Sequence, residues 1–161
     1  MELNAICLSI LMYPTEGVSM KIDIERLGVK DVGIDPDTLF VFPAGLAGFE
    51  HCRQFKLFHE EGKPTVFWLQ CIDDLDVMFP VVAPEQLDLE YQIELSDEDC
   101  ALIDLKRAED ALVVVIVYRD EAKDGKIAAN TRSPVILNLN SRKGMQKILA
   151  DFQPTLVFRG R

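Results

Sequence analysis

Apolar and polar residues alternate with a period of two over much of the chain. Ile22 and Ile24 stand between Lys21, Asp23 and Glu25, and Phe55 and Leu57 flank Lys56, the pattern of strands that bury one face. Strands are predicted over residues 21–25, 39–42, 54–59, 66–72, 77–82, 91–95, 112–118, 126–130, 135–139 and 146–149. The run LVVVIVY at 112–118 lacks polar alternates, so it reads as a central strand buried on both faces. Full burial of each Val or Ile there is worth about 1.5–3 kcal/mol. Helical signals are few. Ser96 precedes Asp99 by three, the spacing of a capping box, and predicts a short helix over 96–103. Residues 84–87, opened by Pro84, and residues 106–110 each predict a single further turn. Short strands broken by turns, with so little helix, predict a mainly β fold: an antiparallel β-barrel-like single domain with one or two short helices covering an open end.

Length changes this picture little, since 161 residues are one domain's worth and can bury a real core. The domain is expected over 20–161. Residues 1–19 read as an N-terminal extension outside the native fold, with Met20 opening the first strand as an alternative start. The other reading is a short amphipathic arm that docks on the domain or on a partner. The apolar patch at 5–12 is no secretory signal, because Glu2 is the only charge before it and no small-residue cleavage site follows. The longest apolar run, ALVVVIVY, has the length of a strand and not of a membrane span.

Charge narrows the partners. Seventeen basic against 27 acidic side chains leave a net charge of −10, a field that repels phosphate and argues against direct nucleic-acid binding. A basic protein is the natural partner. Basic residues do gather at Arg132, Arg142, Lys143, Lys147, Arg159 and Arg161, but without the interleaved aromatics of an RNA surface they read as a solvated face. Cys7, Cys52, Cys71 and Cys100 form no C-x-x-C pair, so neither a zinc site nor a redox dithiol is expected, only reduced thiols in a cytoplasmic protein.

Catalytic chemistry finds little support. No G-x-S-x-G elbow occurs, and His51 beside Cys52, if they lay in a strand, would point to opposite faces. Asp73, Asp74 and Asp76 lack the spacing of a calcium loop; they read as a turn whose carboxylates close their own hydrogen bonds, and also as an acidic docking feature. FPAGLAGFE at 42–50 is rich in glycine but lacks the lysine and Ser/Thr of a phosphate loop. Gly45 and Gly48 suit positive φ, and the loop would fold Leu46 and Phe49 back onto the barrel. No cofactor, metal or catalytic residue is expected. A small β-barrel enzyme or ligand carrier using the barrel interior is the alternative, and it needs polar groups inside, where the strands offer only Gln70 and Gln146.

Five blocks in order, FPAGLAGFE, FWLQCIDDLDVMFPVV (67–82), LSDED (95–99), ALVVVIV and NTRSPVILNLNSRKGMQKIL (130–149), resemble the flagellar assembly factor FliW family. The likeness runs from Met20 to Leu149. It departs from the family pattern at Ala47 and Leu75, where proline is usual, and at Ser133, where alanine is; these bear on loop rigidity. The resemblance implies a non-enzymatic cytoplasmic protein that binds the translational repressor CsrA and, alternatively, flagellin. Flagellin would occupy the factor until it is exported; the freed factor would then capture CsrA and relieve repression of flagellin mRNA. The expected partner-binding residues are Asp73, Asp74 and Asp76 as an electrostatic loop, with Phe67, Gln70, Leu46, Phe49 and Glu50 as the adjoining contact.

Overall fold

The computed structural model describes residues 2, 3 and 20–150. The strands are β1 (Glu2–Leu3), β2 (Met20–Ile24), β3 (Val29–Ile34), β4 (Phe40–Val41), β5 (Gln54–His59), β6 (Phe67–Cys71) and β7 (Met78–Val82). They continue as β8 (Ile93–Glu94), β9 (Ala111–Asp120), β10 (Lys126–Ala129), β11 (Val135–Asn138) and β12 (Lys143–Gln146), with one α-helix among the described residues, α1 (Asp97–Leu102). Apart from β1, which pairs with β8, the expectation for residues 1–19 lies outside the described residues.

Seven strands close into a barrel in the order β9-β11-β12-β4-β5-β6-β7, and β7 returns to β9 through Val81↔Ile116 and Val82↔Val115. All neighbours are antiparallel except β12 and β4, which run parallel at Lys143↔Val41. The period of two sets what fills the barrel. Phe40, Phe55, Leu57, Phe67, Leu69, Cys71, Val81, Leu112, Val114, Val135 and Leu137 point inward and pack with Phe42 and Leu46 into one buried cluster. Side chains therefore occupy the interior, which removes the space a ligand carrier would use.

The alternate residues are not left in water. Val113, Val115, Ile136 and Met145 face outward from the wall β9-β11-β12 and are covered by Leu89, Tyr91, Ile93, Leu95, Ile103 and Leu105. On the opposite wall Trp68, Met78 and Ile72 lie under the β2–β3 hairpin, against Ile22, Ile24 and Ile34. Each wall is thus a two-sided core, which explains why strands of so small a barrel are so apolar. α1 belongs to the first cover, through Cys100 and Leu102. It packs on this wall, and Leu102 also borders the 44–50 loop.

The capping box at Ser96 is present: the Asp99 N–H donates to Ser96 Oγ and the Ser96 N–H to Asp99 Oδ2, both at 3.1 Å. Partial burial works to raise the Asp99 carboxyl, but the Lys147 ammonium and the Ser96 hydrogen bonds outweigh it and hold it below the ordinary range. Residues 84–87 and 108–110 form the expected short turns. Three strand expectations need correction. β3 was not foreseen; it carries Gly33 and a bulge at which Asp31 has φ +56, which interrupt the period of two. The last strand lies at Lys143–Gln146 and not 146–149, where it pairs with β11 from Val135 to Asn138. β9 is fully buried only as far as Val115; beyond Ile116, which still pairs with Val81, the strand pairs with β10 and exposes Tyr118.

Candidate functional site

The 42–53 segment leaves β4 and folds back through two linked turns. The Gly45 N–H donates to the Phe42 carbonyl (3.0 Å) and the Phe49 N–H to the Leu46 carbonyl (2.8 Å). Gly45 and Gly48 both have positive φ, +67 and +81. A Cβ at Gly45 would stand 2.7 Å from Glu50 Cα, so close backbone approach demands glycine there as much as the dihedral does. Gly48 supplies the third residue of the second turn, where a type II turn requires positive φ. Ala47 precedes it and donates its N–H to Gln146 Oε1 (3.0 Å), a bond that proline could not make.

Leu46 is buried and Phe49 half-buried, its ring edge-on to Phe79 at 5.0 Å. Glu50 accepts the Gly48 N–H (3.0 Å), a bond that holds its carboxyl below the usual range. Arg53 donates to the Glu50 carbonyl (2.6 Å) and to the Pro43 carbonyl, lacing the two turns together. The Glu50 and Arg53 side chains thus spend their polar groups within the loop.

The 72–77 loop packs beside it. Asp73 Oδ2 accepts the N–H groups of Arg53 and Gln54, both at 2.8 Å, and the Ile72 N–H donates to the Gln54 carbonyl. Asp74 closes its own turn by accepting from the Asp76 N–H (3.2 Å), while its other oxygen meets His51 Nε2 at 3.1 Å. The three acids therefore differ. Asp73 is a clamp between loops, Asp74 is half engaged, and Asp76 makes no side-chain hydrogen bond among the described residues. Replacing Asp73 by Ala is expected to cost about 1–2 kcal/mol in urea unfolding, two exposed charge-assisted bonds to backbone being lost. Asp76→Ala should fall within about 0.5 kcal/mol of wild type. Equal effects would show that the clamp carries no stability.

The structure brings Leu46, Phe49, Glu50, Asp73, Asp74 and Asp76 to one end of the barrel through these bonds; Gln70 lies under the 72–77 loop, its Nε2 donating to the Leu75 and Val77 carbonyls, and Phe67 lies apart. Phe67 is buried in the barrel interior and offers no surface. Gln70 is 1% exposed, on the outward face of β6, so neither presents the exposed strand edge that was expected. Ile72 and Gln54 supply the backbone contacts that sequence reasoning missed, because their partners lie some eighteen residues away in the chain.

His51 and Cys52 precede β5 and so escape the strand geometry that would have set them on opposite faces. They lie in a turn, not a strand, and Cys52 Sγ comes within 3.5 Å of His51 Nε2. The pair is nonetheless poorly suited to nucleophilic chemistry: burial, the hydrogen bond with Cys71 and the nearby carboxylates push the Cys52 thiol up to about 12. The three described cysteines are free thiols, Cys52 and Cys71 buried and Cys100 partly so; Cys7 lies outside the described residues. Of the basic cluster, Lys147 pairs with Asp99, Lys143 with Asp104 (2.5 Å), and Arg142 stacks over Phe40 at 5.1 Å. Such cations are committed to the protein's own acids and rings. Arg159 and Arg161 lie outside the described residues.

Comparison with known proteins gives concordant results. The family model described as FliW protein matches residues 22–157. The flagellar assembly factor FliW of Azoarcus sp. (strain BH72) is 43% identical over 148 residues, covering 88% of this chain and 99% of that protein. The protein of the same name from Chromobacterium violaceum is 38% identical over 137 residues, 80% of this chain and 92% of its own length. A crystal structure of the flagellar assembly factor FliW shares the fold, with a TM-score of 0.71 at 24% identity over 85% of this chain and 94% of the other. These relatives are named as assembly factors.

Proposed function

The chain belongs to the FliW family, and from that premise we propose that it is a cytoplasmic flagellar assembly factor that works by binding and not by catalysis. Its partners are the RNA-binding repressor CsrA and, in alternation, flagellin, so that export of flagellin frees the factor to capture CsrA and restore flagellin synthesis. The observation that carries the reading is the near end-to-end likeness to a flagellar assembly factor over 148 residues. Physical chemistry supports the choice of partner. A repressor that holds RNA carries basic surface, and a protein of net charge −10 is steered to it while repelling RNA beside it. Asp74 and Asp76 supply free or half-free carboxylates at the loop end, whereas Asp73 is spent internally. The filled interior disfavours the carrier alternative.

The test is RNA binding by the cognate CsrA at physiological salt, with and without this protein. Relief of RNA binding is expected, and unchanged RNA affinity would overturn the reading. Asp74→Asn with Asp76→Asn should weaken capture by about 3- to 10-fold, mostly through a slower on-rate, and flatten its salt dependence.

A further inference from the structure

Gln70 is the one polar side chain in FWLQC, and the strand period turns it outward beside Trp68 and Ile72, toward the β2–β3 hairpin. Its Nε2 donates to the carbonyls of Cys71 (2.8 Å), Leu75 (3.1 Å) and Val77 (3.2 Å). Three acceptors around one end of the amide fix its orientation, because a flipped amide would set oxygen against oxygen. Oε1 is therefore held as an acceptor, and it is buried with no hydrogen-bond partner. Buried acceptors without donors are rare and costly.

Gln70 lines a cleft of about 580 Å³ between β2 and the 72–77 loop, a size typical of ligand sites. Four carboxylates line it, Asp23, Glu25, Asp31 and Asp76, against two cations, Lys21 and Arg26. Asp23 already accepts the Asp31 N–H, but Asp76 makes no side-chain bond among the described residues. Leu75, 47% exposed, forms an apolar lip.

We propose that this cleft receives an arginine side chain of a partner protein, whose guanidinium donates to Gln70 Oε1 and pairs with Asp76. Arginine fits each feature. Its planar fork presents several N–H donors at once, so one group serves both the amide oxygen and the carboxylate. It is more weakly hydrated than an ammonium, which suits an oxygen closed off from water. Its aliphatic stem covers Leu75. The excess of carboxylates favours a cation, and the site is a different one from the His51–Asp74 contact. The inference stands on the cleft itself, whichever protein is the partner.

The test is NMR titration of the full chain, labelled with ¹⁵N, using N-acetyl-arginine amide and, as neutral and ammonium controls, N-acetyl-citrulline amide and N-acetyl-lysine amide. Arginine should shift the Gln70 side-chain NH₂ and the Leu75 and Asp76 amides saturably. Citrulline should bind at least about tenfold more weakly, having lost the charge-assisted bonds, and lysine should fall between. Asp76→Asn should reduce arginine affinity several-fold without altering the spectrum elsewhere. Equal shifts with citrulline, or shifts that spread over the surface without saturating at these residues, would overturn the assignment. Loss of CsrA or flagellin binding is a separate readout, so failure of the functional reading would leave this one standing.

Discussion

Gly144→Ala is expected to destabilise the protein by about 1–3 kcal/mol, and Gly144→Val by more, through overpacking at the seam of the barrel. Gly144 lies in β12 opposite Leu137, at the strand that joins β4 in parallel. A Cβ there would meet Phe42 Cζ at 2.5 Å, Phe42 Cε1 at 2.6 Å and Leu137 Cδ2 at 2.9 Å. Phe42 cannot step aside, because it is fully buried and edge-on to Phe55 at 4.9 Å. The missing side chain thus makes the room in which Phe42 fills the seam, where β4 and β12 share a single register pair. Thermal unfolding should drop by roughly 3 °C or more per kcal/mol. Phe42→Leu, destabilising alone, should recover part of the loss when combined with Gly144→Ala, giving a non-additive cycle. An unshifted midpoint for Gly144→Ala, or strictly additive effects, would show that the ring relaxes freely.

Much of the wall was legible because period-two burial is local. Phe55 and Leu57, Leu69 and Cys71, Leu112 and Val114 each point inward as their alternation required. Ser96 and Asp99 were legible for the same reason, their bonds spanning three residues. What escaped depends on distant partners. The parallel seam follows from bringing residue 41 beside residue 143, and no short-range pattern encodes it. Arg142 reads as part of a solvated basic face, yet it stacks on Phe40, and Gly144, which no sequence pattern singles out, is a core position. Among the acids, Asp73, Asp74 and Asp76 are equivalent in sequence. Only the fold gives Asp73 its two backbone donors and leaves Asp76 free. Gln70 did carry a signal, a lone amide in an apolar strand, but its meaning required knowing that the β2–β3 hairpin covers that face.

Asn138 makes the same point with the larger consequence. It too is a lone amide in an apolar strand, VILN, and is 1% exposed. Unlike Gln70 it is fully used. Nδ2 donates to the carbonyls of Ile103 (2.9 Å) and Asp104 (3.1 Å), and Oδ1 accepts the N–H groups of Asn140 (2.9 Å) and Ser141 (3.2 Å). One side chain so ties the chain leaving α1, where Asp104 has φ +51, to the turn between β11 and β12, where Arg142 has φ +57. Asn138→Ala is expected to cost about 2–4 kcal/mol in urea unfolding, since it strands buried backbone groups on two segments. The Ile103 carbonyl keeps its bond from Ser141 Oγ (2.7 Å), which sets the upper bound. Asn138→Asp sharpens the test. It retains the acceptor but turns a carboxylate toward two carbonyls, so the neutral acid is favoured in the fold and its pKa there lies above the unfolded value of about 3.9. The folded state then binds more protons, and stability relative to wild type falls as pH rises from that value through the folded pKa. The Asp variant should therefore be closest to wild type in acid and furthest at neutral pH, whereas the Ala variant should show a pH-independent deficit. A loss under about 1 kcal/mol for Asn138→Ala, or parallel pH profiles for the two variants, would mean that the four bonds do not hold these turns together.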